Sequence, residues 1–153
     1  MSVHHKLKEI QKKLKAPKNQ KNTFGGYKYR NCEDILEAVK PLLYEQDCTL
    51  TISDEVIAVM DSVYVQATAT LTDCVSDSQV TATAYAREQE TAKGATAPQL
   101  TGACSSYARK YALNGLFCID DTKDADATNT GEETPQPPKR RSRRKVNVDD
   151  CPF

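Results

Sequence analysis

Read on a helical wheel, residues 98–114 gather Gly102, Ser105, Ser106 and Arg109 on one side and Leu100, Cys104, Tyr107 and Tyr111 on another. The first group is a strip of minimal side chains beside one guanidinium. Another molecule can approach such a surface closely, and Arg109, with Lys110 next to it, can hold a phosphate through paired hydrogen bonds. The same strip equally suits packing against a neighbouring helix or subunit. The second group reads as core. A different chemistry is open to Asp120, Asp121, Asp124 and Asp126, whose carboxylates could gather magnesium or manganese for a nuclease. Metal sites of that kind usually draw acids from separate elements, whereas consecutive acids beside a polar tail usually form a solvated surface or an oligomer contact. The enzymatic reading therefore stays an alternative. Lys139, Arg140, Arg141, Arg143, Arg144 and Lys145 form a basic cluster that attracts any polyanion and also serves solubility.

No thiol or imidazole chemistry stands out. Cys32, Cys48, Cys74, Cys104, Cys118 and Cys151 are scattered, with no CxxC pair, and read as reduced, mostly small core residues. His4 and His5 lie among lysines and read as solvated rather than as ligands. No metal or other cofactor is expected. Residues 1–16 contain no continuous apolar stretch, which argues against a secretory signal, and no run is long enough to span a bilayer. A cytoplasmic protein with no membrane partner is the expectation. The formal net charge of +0 hides a segregation: residues 1–30 hold nine Lys or Arg against one acid, residues 31–120 five against thirteen, and residues 135–148 six bases and no acid. A nucleic acid lying on the acidic middle would need a few placed cations and stacking rather than diffuse attraction. At 153 residues the chain has room for one compact domain plus a tail.

The elements that must position these groups follow from periodicity. Val3, Leu7, Ile10 and Leu14 mark a first helix ended by Pro17. Gly25 and Gly26 read as a turn before a short extended piece in which Tyr27, Lys28, Tyr29 and Arg30 alternate aromatic and basic. Asn31 can cap a second helix that buries Ile35, Leu36, Val39, Leu42 and Leu43 and bends at Pro41. From Cys48 the period becomes two. Residues 49–53 and 56–59 read as two short strands, residues 63–72 as one long strand, and residues 80–87 as another, forming an antiparallel sheet with one apolar face that helices must cover. Pro98 fits the first turn of a third helix running to about Asn114, with Gly115 as its stop. The fold class expected is α+β, with three or four strands, about three helices and a disordered C-terminal tail. The expected division is a core domain over residues 1–121, a linker carrying the basic cluster over 122–148, and a partner-binding tip over 149–153.

Two blocks carry a resemblance. Gln99-Leu100-Thr101-Gly102-Ala103-Cys104-Ser105-Ser106-Tyr107-Ala108-Arg109-Lys110-Tyr111-Ala112-Leu113, continuing through Leu116-Phe117-Cys118-Ile119-Asp120-Asp121, resembles the signature of the Erf family, phage-type single-strand annealing proteins. So does Tyr27-Lys28-Tyr29-Arg30-Asn31-Cys32-Glu33-Asp34-Ile35 followed by Ala38-Val39-Lys40-Pro41-Leu42-Leu43. The similarity runs from about the first residues to Asp126. It implies a small sheet backed by helices, similar to the eukaryotic strand-annealing ring proteins, and assembly into homo-oligomeric rings or helices. It also implies single-stranded DNA as partner, a phage or prophage origin in a bacterial host, and a phage exonuclease that could supply the strands. Carried over to matching positions, it makes Arg109 and Lys110 the first candidates for phosphate contacts, then Lys28 and Arg30, with Tyr27 or Tyr29 as stacking platforms. For the tyrosines, core packing with the hydroxyl at the surface remains the other reading. Annealing needs no catalytic residue, because base pairing supplies the free energy.

The last residues, Asp149-Asp150-Cys151-Pro152-Phe153, are similar to the acidic terminal peptide of bacterial single-stranded-DNA-binding proteins, with Cys151 in place of an aliphatic residue. A terminal Phe can fill an apolar pocket while its carboxylate and the aspartates meet basic groups, so the resemblance implies host repair proteins as partners of Asp149, Asp150, Pro152 and Phe153. That tail also fits a protein that coats and protects single strands. The usual barrel for coating has five strands and little helix, whereas three helices are expected here, which favours the annealer.

Overall fold

The structure is a computed structural model that describes residues 1–26 and 28–119. Helix α1 (Val3–Lys13) turns Val3, Leu7 and Ile10 inward, as their spacing requires. A two-residue ribbon follows, β1 (Gln20–Lys21) against β2 (Lys28–Tyr29), where the Asn22 side chain accepts the backbone N–H groups of Phe24 and Gly25 and Gly26 takes φ 67°. Helix α2 (Cys32–Glu45) opens on a reciprocal cap. The Asn31 side chain accepts the Asp34 N–H at 2.8 Å, and the Asp34 carboxylate accepts the Asn31 N–H at 3.0 Å. The helix continues through Pro41. Cys32, Ile35 and Val39 are buried, with Leu36, Leu42 and Leu43 partly so.

The sheet is an antiparallel meander of β3 (Cys48–Val59), β4 (Ser62–Asp73) and β5 (Gln79–Arg87), in that order, so β3 and β5 are its edges. β3 pairs with β4 from Cys48 opposite Asp73 to Val59 opposite Ser62, and β4 pairs with β5 from Tyr64 opposite Arg87 to Thr72 opposite Gln79. The two strands expected over residues 49–53 and 56–59 are one. Asp54 and Glu55 stay in the ladder opposite Ala67 and Gln66, because twelve paired positions hold them and Arg109 meets the inward charge of Asp54. The turn at the tip is Met60-Asp61, with Met60 at φ 53° and 97 % exposed.

All three helices lie on one face of the sheet. On β4, Val65, Ala67, Ala69 and Leu71 are buried beneath them, while Tyr64, Gln66, Thr68 and Thr70 point to the uncovered side. The expected α+β fold with a one-sided sheet is what forms. Helix α3 (Ala97–Phe117) starts at the Thr96 and Gln99 cap, where the Gln99 side chain accepts the Thr96 N–H at 2.8 Å. Gly115 does not stop it. Leu116 and Phe117 are buried and prolong the helix, and Cys118 takes the left-handed capping conformation at φ 51°. None of Cys32, Cys48, Cys74, Cys104 and Cys118 forms a disulfide, and burial pushes the thiols of Cys32, Cys48 and Cys104 up, which keeps them protonated and inert. No helix among the described residues is long and apolar enough to cross a membrane.

One buried ion pair ties α1 to the sheet. Lys6 Nζ donates to Asp73 Oδ1 at 2.6 Å, and Asp73 also accepts the Val75 N–H at 2.9 Å and the Ser76 hydroxyl at 2.8 Å. Asp73 is thereby held well below the usual carboxylate range, foremost by the Lys6 hydrogen bond, and the same bond raises Lys6. A depressed folded pKa stabilises the fold above the unfolded value of about 3.9 and ceases to do so as pH falls toward the folded value. The raised Lys6 keeps its contribution until pH rises past about 10.4. Asp73→Asn should therefore lower the melting temperature most near neutral pH, and its deficit against the parent should shrink as pH drops below about 4. Thermal melts across pH check this; a deficit that is constant down to strong acid would contradict it.

Candidate nucleic-acid interface

Small residues let α3 sit close to the sheet. Its buried ridge is Cys104, Ala108, Ala112 and Leu116, spaced four apart, and it packs on β4 and β5, whose inner face is largely alanine. A methyl added at Gly115 would stand 3.9 Å from the Ala82 methyl. This contact corrects the wheel. Tyr107 and Tyr111, expected in the core, are 56 % and 41 % exposed, because the alanine-lined interface has room for Ala108 and Ala112 but not for rings one position away. The two rings lie 6.4 Å apart, tilted by 30°, and Lys110 Nζ is 5.7 Å from the centre of the Tyr111 ring.

The small-residue strip is open to solvent at its start. Gly102 and Ser106 are exposed, and a methyl at Gly102 would meet no atom within 4 Å. Arg109 leans from this strip toward β3. Its Nε donates to both oxygens of Asp54 at 3.1 and 3.0 Å, its Nη2 approaches Oδ2 at 2.9 Å, and the Ser105 hydroxyl donates to the same Oδ2 at 2.5 Å. Partial burial works to raise the Asp54 pKa, but the hydrogen bonds from Arg109 and Ser105 outweigh it and the carboxyl ends below its ordinary value. The Asp54 hydrogen bond raises Arg109 in turn, and Glu33 at the start of α2 is close enough to add to that field. The guanidinium is thus already matched to a carboxylate. Lys110 is half-buried beside the Tyr111 ring, and Arg109 can meet a phosphate only where Asp54 is displaced or shared.

The Tyr-Lys-Tyr-Arg segment divides. Lys28 is exposed on β2 and Tyr29 is half-buried, whereas Arg30 is only 7 % exposed and so does not offer its guanidinium to a strand lying on the surface. Tyr27 lies outside the described residues, as do Asp120, Asp121, Asp124 and Asp126, the basic cluster, and Asp149, Asp150, Pro152 and Phe153. Among the described residues, no three His, Cys, Asp or Glu side chains gather where they could hold a metal. Asp54 escapes a reading of the sequence alone. Its signal is the inward row Cys48, Leu50, Ile52, Asp54, Val56, in which one carboxylate interrupts an apolar face and so requires a partner across it.

The family model of the ERF superfamily matches residues 3–149, so the chain that folds into this one-sided sheet under helices belongs to that family. It is 61 % identical over 121 residues to the "Essential recombination function protein" of Salmonella phage P22. The match takes in 79 % of this chain and 57 % of the phage P22 protein, so the chain spans little more than half of that relative. No solved structure matches.

The packing of α3 makes a test of the corrected wheel. Tyr107→Ser should change stability by no more than about 0.5–1 kcal/mol, as expected of a solvent-facing position, whereas Ala108→Leu should cost about 1–3 kcal/mol by overfilling the helix–sheet contact. Urea unfolding of both variants measures the difference, and the opposite order would return Tyr107 to the core.

Proposed function

We propose that this chain binds single-stranded DNA and anneals complementary strands in phage-type homologous recombination, working as a homo-oligomer and without a catalytic residue. One observation carries the reading: the solvent face of α3, where the Tyr107 and Tyr111 rings stand beside Lys110. Rings offer sequence-tolerant stacking to any base, and a neighbouring ammonium takes the phosphate. The recombination role named for the phage P22 relative supports it. Gly102 and Ser106 leave room for a backbone to come close, and Ser105 and Arg109 join the contact when a phosphate competes with Asp54 for the guanidinium. Lys28 adds a second cation from β2. Repeated subunits in a ring or helix turn such a patch into a track, and the energy of annealing is that of base pairing. A phage exonuclease is the reaction class that supplies the strands. The terminal residues Asp149, Asp150, Pro152 and Phe153 recruit host repair proteins that read the terminal peptide of bacterial single-stranded-DNA-binding proteins.

Mixing labelled complementary oligonucleotides with the full chain tests this. The parent should speed pairing. Arg109→Glu combined with Lys110→Glu should slow it by about tenfold or more while the protein stays folded, and should lower the salt dependence of strand binding by about 0.7 for each phosphate no longer neutralised. Pairing at the parental speed in that variant would reject the reading. A parent that slows pairing would mark a protein that coats strands, and chelator-sensitive digestion of the oligonucleotide would mark a nuclease. For the tail, removal of Phe153 should abolish capture of those host proteins in a pull-down; unchanged capture would eliminate that part.

A further inference from the structure

The uncovered face of the sheet carries a second set of groups that the α3 surface does not use. The register puts Gln66 opposite Tyr85 and Tyr64 opposite Arg87, so the two tyrosines are diagonal neighbours pointing away from the helices. Tyr85 is 55 % exposed, although a large ring on a sheet with a core to fill has no packing reason to stand in water. Arg87 is exposed and makes no ion pair with a described residue. The rest of the face is mostly hydroxyl: threonines line all three strands, and the Thr68 and Thr83 side chains hydrogen-bond to each other at 3.2 Å across it. Glu55 is its one carboxylate. A protein partner would bury a broad apolar patch, whereas the aliphatic side chains on this face are only Ile57 and Val59, at one end of the edge strand β3. Two rings at the diagonal cross-strand spacing of about 7–8 Å, with a guanidinium beside them and hydroxyl donors around, fit the bases and backbone of a flexible nucleic-acid strand.

We infer that the open face of the β3–β4–β5 sheet is a second platform for single-stranded nucleic acid, on which bases stack against Tyr85 and Tyr64 while Arg87 takes a phosphate. The inference rests on the reading that the chain binds single strands, and it differs from that reading in the surface and in the physics. Contact on α3 is led by cations and weakens with salt, whereas contact here is led by ring stacking and persists as salt rises.

The experiment compares binding of an oligothymidine and of an abasic oligonucleotide of equal length to the full-length parent and to Tyr85→Ala, Tyr85→Phe and Lys110→Glu. Tyr85→Ala should weaken oligothymidine binding on the order of tenfold at high salt, with abasic binding unchanged, and Tyr85→Phe should retain parental affinity. Lys110→Glu should weaken both ligands, chiefly at low salt. If Tyr85→Ala binds oligothymidine like the parent while Lys110→Glu does not, the open-face platform is wrong and the α3 reading stands. If the parent binds neither oligonucleotide, both fall. If Tyr85→Ala instead sediments as a smaller assembly than the parent, the face belongs to a neighbouring copy and the inference is overturned.

Discussion

Ala108 and Ala112 bring α3 down onto a sheet whose inner face is built largely from Ala67, Ala69, Ala82, Ala84 and Ala86, and the rest of the surface is arranged by that contact. With little more than methyl groups between helix and strands, the helix axis lies close and its rotation is fixed. Rotation decides which side chains reach solvent. The ridge of small residues goes inward, the tyrosines are turned out beside Lys110, and Arg109 is aimed sideways at β3. An α3 packed by larger residues would stand farther off and could rotate, and neither the aromatic pair nor the Asp54 contact would be set by the fold.

The same economy explains the polar anchors. A three-stranded sheet with helices on one side buries little apolar area, so charged groups at its margins carry part of the organisation. Lys6 with Asp73 closes the end of β4 against α1, and Arg109 with Asp54 closes the middle of β3 against α3. The two pairs differ in setting. Asp73 is fully enclosed and served by three donors, which makes it a structural anchor, while the Arg109 pair is partly in solvent, where a phosphate can compete with the carboxylate.

Much of the fold is legible in the amino acids, and the exceptions have physical causes. The Asn31 cap, the inward stripe of α1, the period-two alternation of β4 and β5 and the start of α3 at Pro98 are local features whose chemistry does not depend on distant partners. What is not legible depends on tertiary context. Hydrophobicity places Tyr107 and Tyr111 inside, but the volume available beneath α3 is set by the alanines of the preceding strands. Gly115 reads as a stop until Leu116 and Phe117 are seen to be buried. Lys6 reads as one more solvated lysine, and Arg30 as a surface cation, because nothing nearby in the chain announces a buried environment. Of the expected interface, Ser106 and Lys28 stand in solvent, Lys110 is half-buried, Arg109 and Ser105 are engaged with Asp54, and Arg30 is enclosed.

Met60 sits in a left-handed conformation that costs an ordinary L-residue roughly 1–2 kcal/mol, at the tip of the longest hairpin and almost wholly in water. Neither a glycine nor an asparagine eases the bend, so the alignment of β3 with β4 is dictated by the side chains along the ladder and not by the chemistry of the corner. The corner is consequently replaceable. A longer or more relaxed linker, an epitope or a fluorophore-bearing loop can be spliced in at Met60-Asp61 without shifting the strands behind it, which makes this apex a natural attachment point for probes.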